Sequence, residues 1–95
     1  MSFKMSYQNM EFLMIYIGKI YRECLETHEN LIENKTFKER VDDILERMSN
    51  EYVCIIKNDF LSPKEEGWYH KIFTKKEYFA YKKGAMKTFL HCLYD

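Results

Sequence analysis

The stretch MEFLMIYIGKIYRECL, residues 10–25, constrains the fold more than any other part of the chain. At about 100° per residue, Met10, Leu13, Met14, Ile17, Ile20, Tyr21, Cys24 and Leu25, with Leu31 and Ile32 beyond, share an arc of roughly 140°. Lys19, Arg22, Glu26, Glu29 and Glu33 lie outside it. The period predicts one long core-facing helix from Ser6 to about Asn34. Phe12, Ile15 and Tyr16 fall on the far side, so the amino-terminal half of this helix is apolar nearly all round. Such a helix needs cover on both sides, from the carboxy-terminal helix or from a second molecule. Phe12, Ile15 and Tyr16 are therefore the candidate protein interface, with homodimerisation as one form of it.

The elements that follow are shorter. In TFKERVDDILERMSN, Thr36 and Glu39 have the spacing of a capping box, and Phe37, Val41, Ile44 and Met48 then recur at helical intervals. That predicts a second helix over about 36–49. YVCIIK is β-branched and aromatic between SN and ND, and GWYHKIF has the same character, so the two read as an antiparallel hairpin around a loop holding Pro63 and Gly67. The last segment, TKKEYFAYKKGAMKTFLHCLYD, opens with Thr74 and Glu77 in a second capping box and places Tyr78, Phe79, Tyr81, Ala85, Met86, Phe89, Leu90, Cys92 and Leu93 on an apolar arc covering about half the circumference. Gly84 projects away from that face, which implies a bend or a close approach of another group to its backbone. The expected fold is a small α+β domain in the order α-α-β-β-α, with a two-stranded antiparallel hairpin and a terminal helix, over residues 1–95 as a single compact unit.

Length allows one domain, and charge narrows the partners. Fifteen basic and fifteen acidic side chains cancel, so any attraction to an anionic surface is local. It would sit in the carboxy-terminal part, where residues 67–94 carry six lysines and one glutamate. Lys71, Lys76, Lys83 and Lys87 are the candidate nucleic-acid contacts, with Trp68, Tyr69 and Phe73 as stacking partners. No arginine follows Arg47, although arginine is the side chain best suited to fork onto phosphate or guanine. Two helices before a hairpin also resemble part of a winged helix in outline. The helix that would read DNA there carries Glu39, Asp42, Asp43 and Glu46, which phosphates would repel.

Catalytic and metal chemistry find little support in the pattern. Cys24 and His28 stand four apart on one helix face, and His91 with Cys92 could complete four ligands, but adjacent residues diverge by about 100° on a helix and there is no CxxC or HxxxH pair. There is no glycine-rich phosphate loop or nucleophile elbow. No cofactor, metal or catalytic residue is assigned. Three cysteines in odd number, no secretory pattern near Met1 and no apolar run of the roughly 20 residues a membrane span needs point to a reducing cytoplasmic setting. Twelve lysines against three arginines, with abundant Asn, Ile, Tyr and Phe, suit an A+T-rich coding sequence such as that of a virus, phage or mobile element. The expected function is a non-catalytic small regulator or inhibitor acting by protein–protein binding, with nucleic-acid binding by the carboxy-terminal strand and helix as the alternative.

Overall fold

The computed structural model describes residues 4–26 and 32–94, and for 32–35 the backbone alone. Helix α1 runs Tyr7–Glu26. Ser6 starts it: its Oγ accepts the Asn9 N–H at 3.1 Å and its carbonyl accepts the Met10 N–H at 3.0 Å. The core arc read from the sequence holds through Tyr21, with Met10, Met14 and Ile17 buried, but α1 ends at Glu26 and leaves Leu25 exposed. Ile32 and Asn34, expected at the end of that helix, belong instead to α2, Ile32–Glu46. Thr36 consequently lies inside α2 and does not cap its start. Val41, Ile44 and Leu45 bring α2 into the core beside α1.

The expected α+β class and its hairpin are not found: every described regular element is helical, and no strand occurs among the described residues. YVCIIK lies within α3, Asn50–Ile56, and in the π-helical segment Lys57–Leu61 that continues it without a break. Burial explains the choice. Ile55 and Ile56, then Phe60 and Leu61, are all buried, five residues apart. Five residues of ordinary α-helix would turn the second pair about 140° away from the first. A π turn closes i to i+5 and keeps both pairs on one side, and the Ser62 N–H duly donates to the Lys57 carbonyl at 2.8 Å. The β-branched composition that suggested a strand is thus overruled by a helical face that continues past Asn58 and Asp59.

GWYHKIF is likewise not a strand. Gly67, at φ +80°, turns the chain into a short 3₁₀ segment, Trp68–Lys71, closed by bonds such as His70 N–H to the Gly67 carbonyl at 3.1 Å. Tyr69 there stacks on Tyr78 of the carboxy-terminal helix, their ring centroids 3.7 Å apart, and with Ile55 the pair forms a small second cluster beside the main core.

Helix α4, Lys75–Tyr94, begins as its sequence foretells. The Thr74 N–H donates to Glu77 Oε1 at 2.8 Å, and the Glu77 N–H donates to Thr74 Oγ1 at 3.1 Å. Its Ala85, Met86, Phe89 and Leu90 complete the main core with α1, α2 and the π segment. Two glycines mark close approaches. A Cβ on Gly18 would overlap the Phe60 carbonyl oxygen, so α1 and the π segment meet backbone to backbone there. At Gly84 the Tyr52 hydroxyl of α3 occupies the space a Cβ would take, which resolves the sequence alternatives in favour of close approach. None of the described helices is long and apolar enough to cross a membrane.

Candidate functional site

The π segment delivers Asp59 to a buried ionic cluster. Asp59 Oδ1 accepts the Trp68 Nε1–H at 2.8 Å, and Oδ2 accepts the Tyr78 hydroxyl at 2.5 Å. Lys82 of α4 reaches the same place, its Nζ 2.6 Å from Glu11 Oε2 of α1 and 3.4 Å from Asp59 Oδ2. The rings of Phe60 and Tyr78 lie 5.4 and 5.5 Å from that ammonium, within cation–π range. Four parts of the chain are therefore pinned at one point: α1, the π segment, the 3₁₀ segment and α4. On the other flank of the π segment, Arg22 Nη1 donates to the Phe60 carbonyl at 2.5 Å, next to the Gly18 contact.

Lys82 is only 8% exposed, its ammonium withdrawn from water together with its stem. Burial alone would lower its pKa, but the hydrogen bond to Glu11 and the charge of Asp59 outweigh that and hold it above the ordinary lysine range. Burial and then the bond to Asp59 push the Tyr78 phenol up as well. Both groups therefore keep their protons near neutrality, Lys82 as an ammonium and Tyr78 as a neutral phenol. A cavity of about 250 Å³ opens beside the cluster, walled by Trp68, Tyr69, Tyr78 and Phe79 with Lys64, Glu65 and Glu66 around them.

The three residues expected at an interface are all on the surface: Phe12 is 70% exposed, Ile15 52% and Tyr16 60%. They stand at i, i+3 and i+4 on α1, turned away from Met10, Met14 and Ile17. Helix α4 packs on the inner side of α1 and leaves them uncovered.

The candidate lysines separate. Lys83 and Lys87 line one cavity of about 450 Å³ together with Lys4, Met5, Ser6 and Met10 at the start of α1. Lys76 lies in the first turn of α4 and Lys71 in the 3₁₀ segment, neither of them part of that lining. The aromatic residues proposed to stack on bases are committed elsewhere: Trp68, Tyr69 and Phe73 pack in the second cluster. Acidic side chains on α2 are likewise engaged, Asp42 with Lys38 at 2.6 Å and Asp43 with Arg47 at 3.1 Å. His28 lies outside the described residues, and among those described no three His, Cys, Asp or Glu side chains gather as a metal ion needs.

The ionic cluster is what sequence reasoning missed. Its signal was a lysine, Lys82, in the middle of the apolar arc of α4, which asks for a buried carboxylate partner. Its partner Glu11 stands within an apolar stretch and Asp59 directly precedes Phe60 and Leu61, but nothing along the chain linked the three. No family model, curated protein or solved structure matches this chain.

Proposed function

We propose that this protein is a non-catalytic binding protein, a small regulator or inhibitor that engages another protein surface through the outer face of α1. The observation that carries the reading is the exposure of Phe12, Ile15 and Tyr16 together on one helical face while Met10, Met14 and Ile17 on the opposite face of the same helix are buried. Large apolar side chains scattered singly need no explanation, but a contiguous set at helical spacing is the anchor pattern of a helix that docks on a partner. The fixed protonation of Lys82 and Tyr78 supports binding over proton-transfer chemistry at the one buried polar cluster described. The free thiols of Cys54 and Cys92 fit a reducing compartment such as the cytoplasm.

A photoreactive phenylalanine analogue at position 16, activated in cells that carry the chain, tests this directly. A discrete protein adduct absent when the probe stands at exposed Lys64 is the expected result. Equal, diffuse labelling from both positions overturns the reading.

A second reading, nucleic-acid binding, draws on one observation: Lys4 joins Lys83 and Lys87 in a cavity whose lining holds no acidic residue. It requires an affinity for mixed single- and double-stranded nucleic acid that falls steeply with salt and is lost on Lys83→Glu/Lys87→Glu. Salt-insensitive or absent binding removes it.

A further inference from the structure

The outer face of α1 carries more than its three apolar residues. Gln8, Lys19 and Glu23 are exposed and, at about 100° per residue, fall in the same arc as Phe12, Ile15 and Tyr16. The stripe from Gln8 to Glu23 is roughly 22 Å long at 1.5 Å per residue. Exposed Glu26, at the end of α1, falls in this arc too, so Lys19 against Glu23 and Glu26 leaves a single net negative charge, too little to select a strongly charged partner. All three charges lie on its carboxy-terminal side, and the amino-terminal side offers an aromatic ring and a neutral amide.

That asymmetry makes the stripe complementary to itself in one orientation. If two copies pair with α1 antiparallel about a two-fold axis between Ile15 and Tyr16, Lys19 of each copy lies over Phe12 of the other. Glu23 then faces the Gln8 amide, and Ile15 meets Tyr16. An ammonium over an aromatic face and a carboxylate beside an amide are both favourable. Parallel pairing instead sets Lys19 against Lys19 and Glu23 against Glu23, which is repulsive.

We infer that the occupant of this face is a second copy of the chain, bound with its α1 antiparallel. The inference rests on the protein-binding reading above and names the partner for it. One helical face about 22 Å long buries less than the roughly 800 Å² per partner of a standard stable interface, so the dimer is a weak one, forming at micromolar concentrations or above.

Light scattering over a concentration series from about 1 µM to 1 mM reads it. The wild type is expected to pass from monomer to dimer, and Phe12→Lys/Tyr16→Lys to stay monomeric throughout. Gln8→Lys sets the orientation: antiparallel pairing brings the new ammonium onto Glu23 of the other copy at two symmetric places, tightening the dimer at least threefold. Parallel pairing brings the new ammonium onto its own counterpart, so weakening by Gln8→Lys overturns the antiparallel arrangement. A wild type that is monomeric over the whole series overturns the self-association. In that case the protein-binding reading is still decided by the probe at position 16, where an adduct with a different chain sustains it and no adduct ends it. A dimer unaffected by Phe12→Lys/Tyr16→Lys overturns self-association through this face.

Discussion

The two faces of α1 have similar composition and different fates. On the inner face Met10, Met14 and Ile17 are almost wholly removed from water, each such side chain contributing about 1.5–3 kcal/mol. Glu11 and Gly18 edge that face, one holding Lys82, the other admitting the Phe60 carbonyl against the helix backbone. On the outer face Phe12, Ile15 and Tyr16 have as much apolar surface and touch nothing comparable. Hydrophobicity alone does not tell which side of a helix becomes core. That is decided by what else converges there, and on α1 the convergence is backbone contact, a buried ammonium and three further elements.

If the inner face is where the fold is decided, disturbing its fixed points should cost more than any change outside. The largest loss is expected from Lys82→Met, which leaves the Glu11 and Asp59 carboxylates without their cation and should destabilise by about 3–5 kcal/mol in urea unfolding. Adding Asp59→Asn to that variant should recover part of the loss by removing one stranded charge. A Lys82→Met variant as stable as wild type would mean that water reaches the cluster freely and the inner face is not pinned there.

Gly18→Ala should follow, at about 1–3 kcal/mol, because the added methyl meets a backbone carbonyl that cannot swing aside as a side chain could. In an open stretch of helix the same change stabilises by up to about 1 kcal/mol, so the sign of the effect is itself the test.

Tyr21→Phe sharpens the comparison at the far end of the inner face. The Tyr21 hydroxyl donates to Asp42 Oδ1 at 2.8 Å, and its loss should cost about 0.5–1.5 kcal/mol. Burial tends to raise the pKa of Asp42, but hydrogen bonds from Lys38 and Tyr21 outweigh it and hold the carboxyl below its usual value. A depressed carboxyl stabilises fully above its unfolded pKa of about 3.9, and the contribution disappears as pH falls through the lower folded value. In Tyr21→Phe, stability measured below about pH 4 should therefore depend less steeply on pH than in wild type. An unchanged acid limb would show that the hydroxyl does not support Asp42. The group is partly exposed, so the effect is small.

How far the sequence revealed this arrangement depends on what each residue's neighbours along the chain could convey. The inner arc of α1, the Val41 and Ile44 face of α2 and the whole start of α4 were legible, because amphipathic period and capping boxes are local signals. The Thr74–Glu77 box closed as expected, whereas Thr36–Glu39, identical in spacing, fell inside a helix that begins at Ile32. Nothing within the four residues distinguishes the two; the length of helix before Thr36 does. The strands read into YVCIIK and GWYHKIF failed for a related reason. Val53, Ile55 and Ile56 suit a strand by propensity, but the face they form is completed by Phe60 and Leu61 across a π turn, and a search at the α period does not connect residues five apart. The ionic cluster was least legible, since Glu11, Asp59 and Lys82 are brought together only by the tertiary fold.

The central claim is that the outer face of α1 serves binding and not the fold of the chain itself. Urea unfolding of Phe12→Lys/Tyr16→Lys against wild type, at sub-micromolar concentration where the proposed dimer is dissociated, tests it most directly. The two proteins should agree within about 0.5 kcal/mol, as expected of exposed positions. A loss of about 2–5 kcal/mol, the size expected for truncating buried Ile17 to alanine, would contradict the claim and place Phe12 and Tyr16 among the residues that hold the chain together.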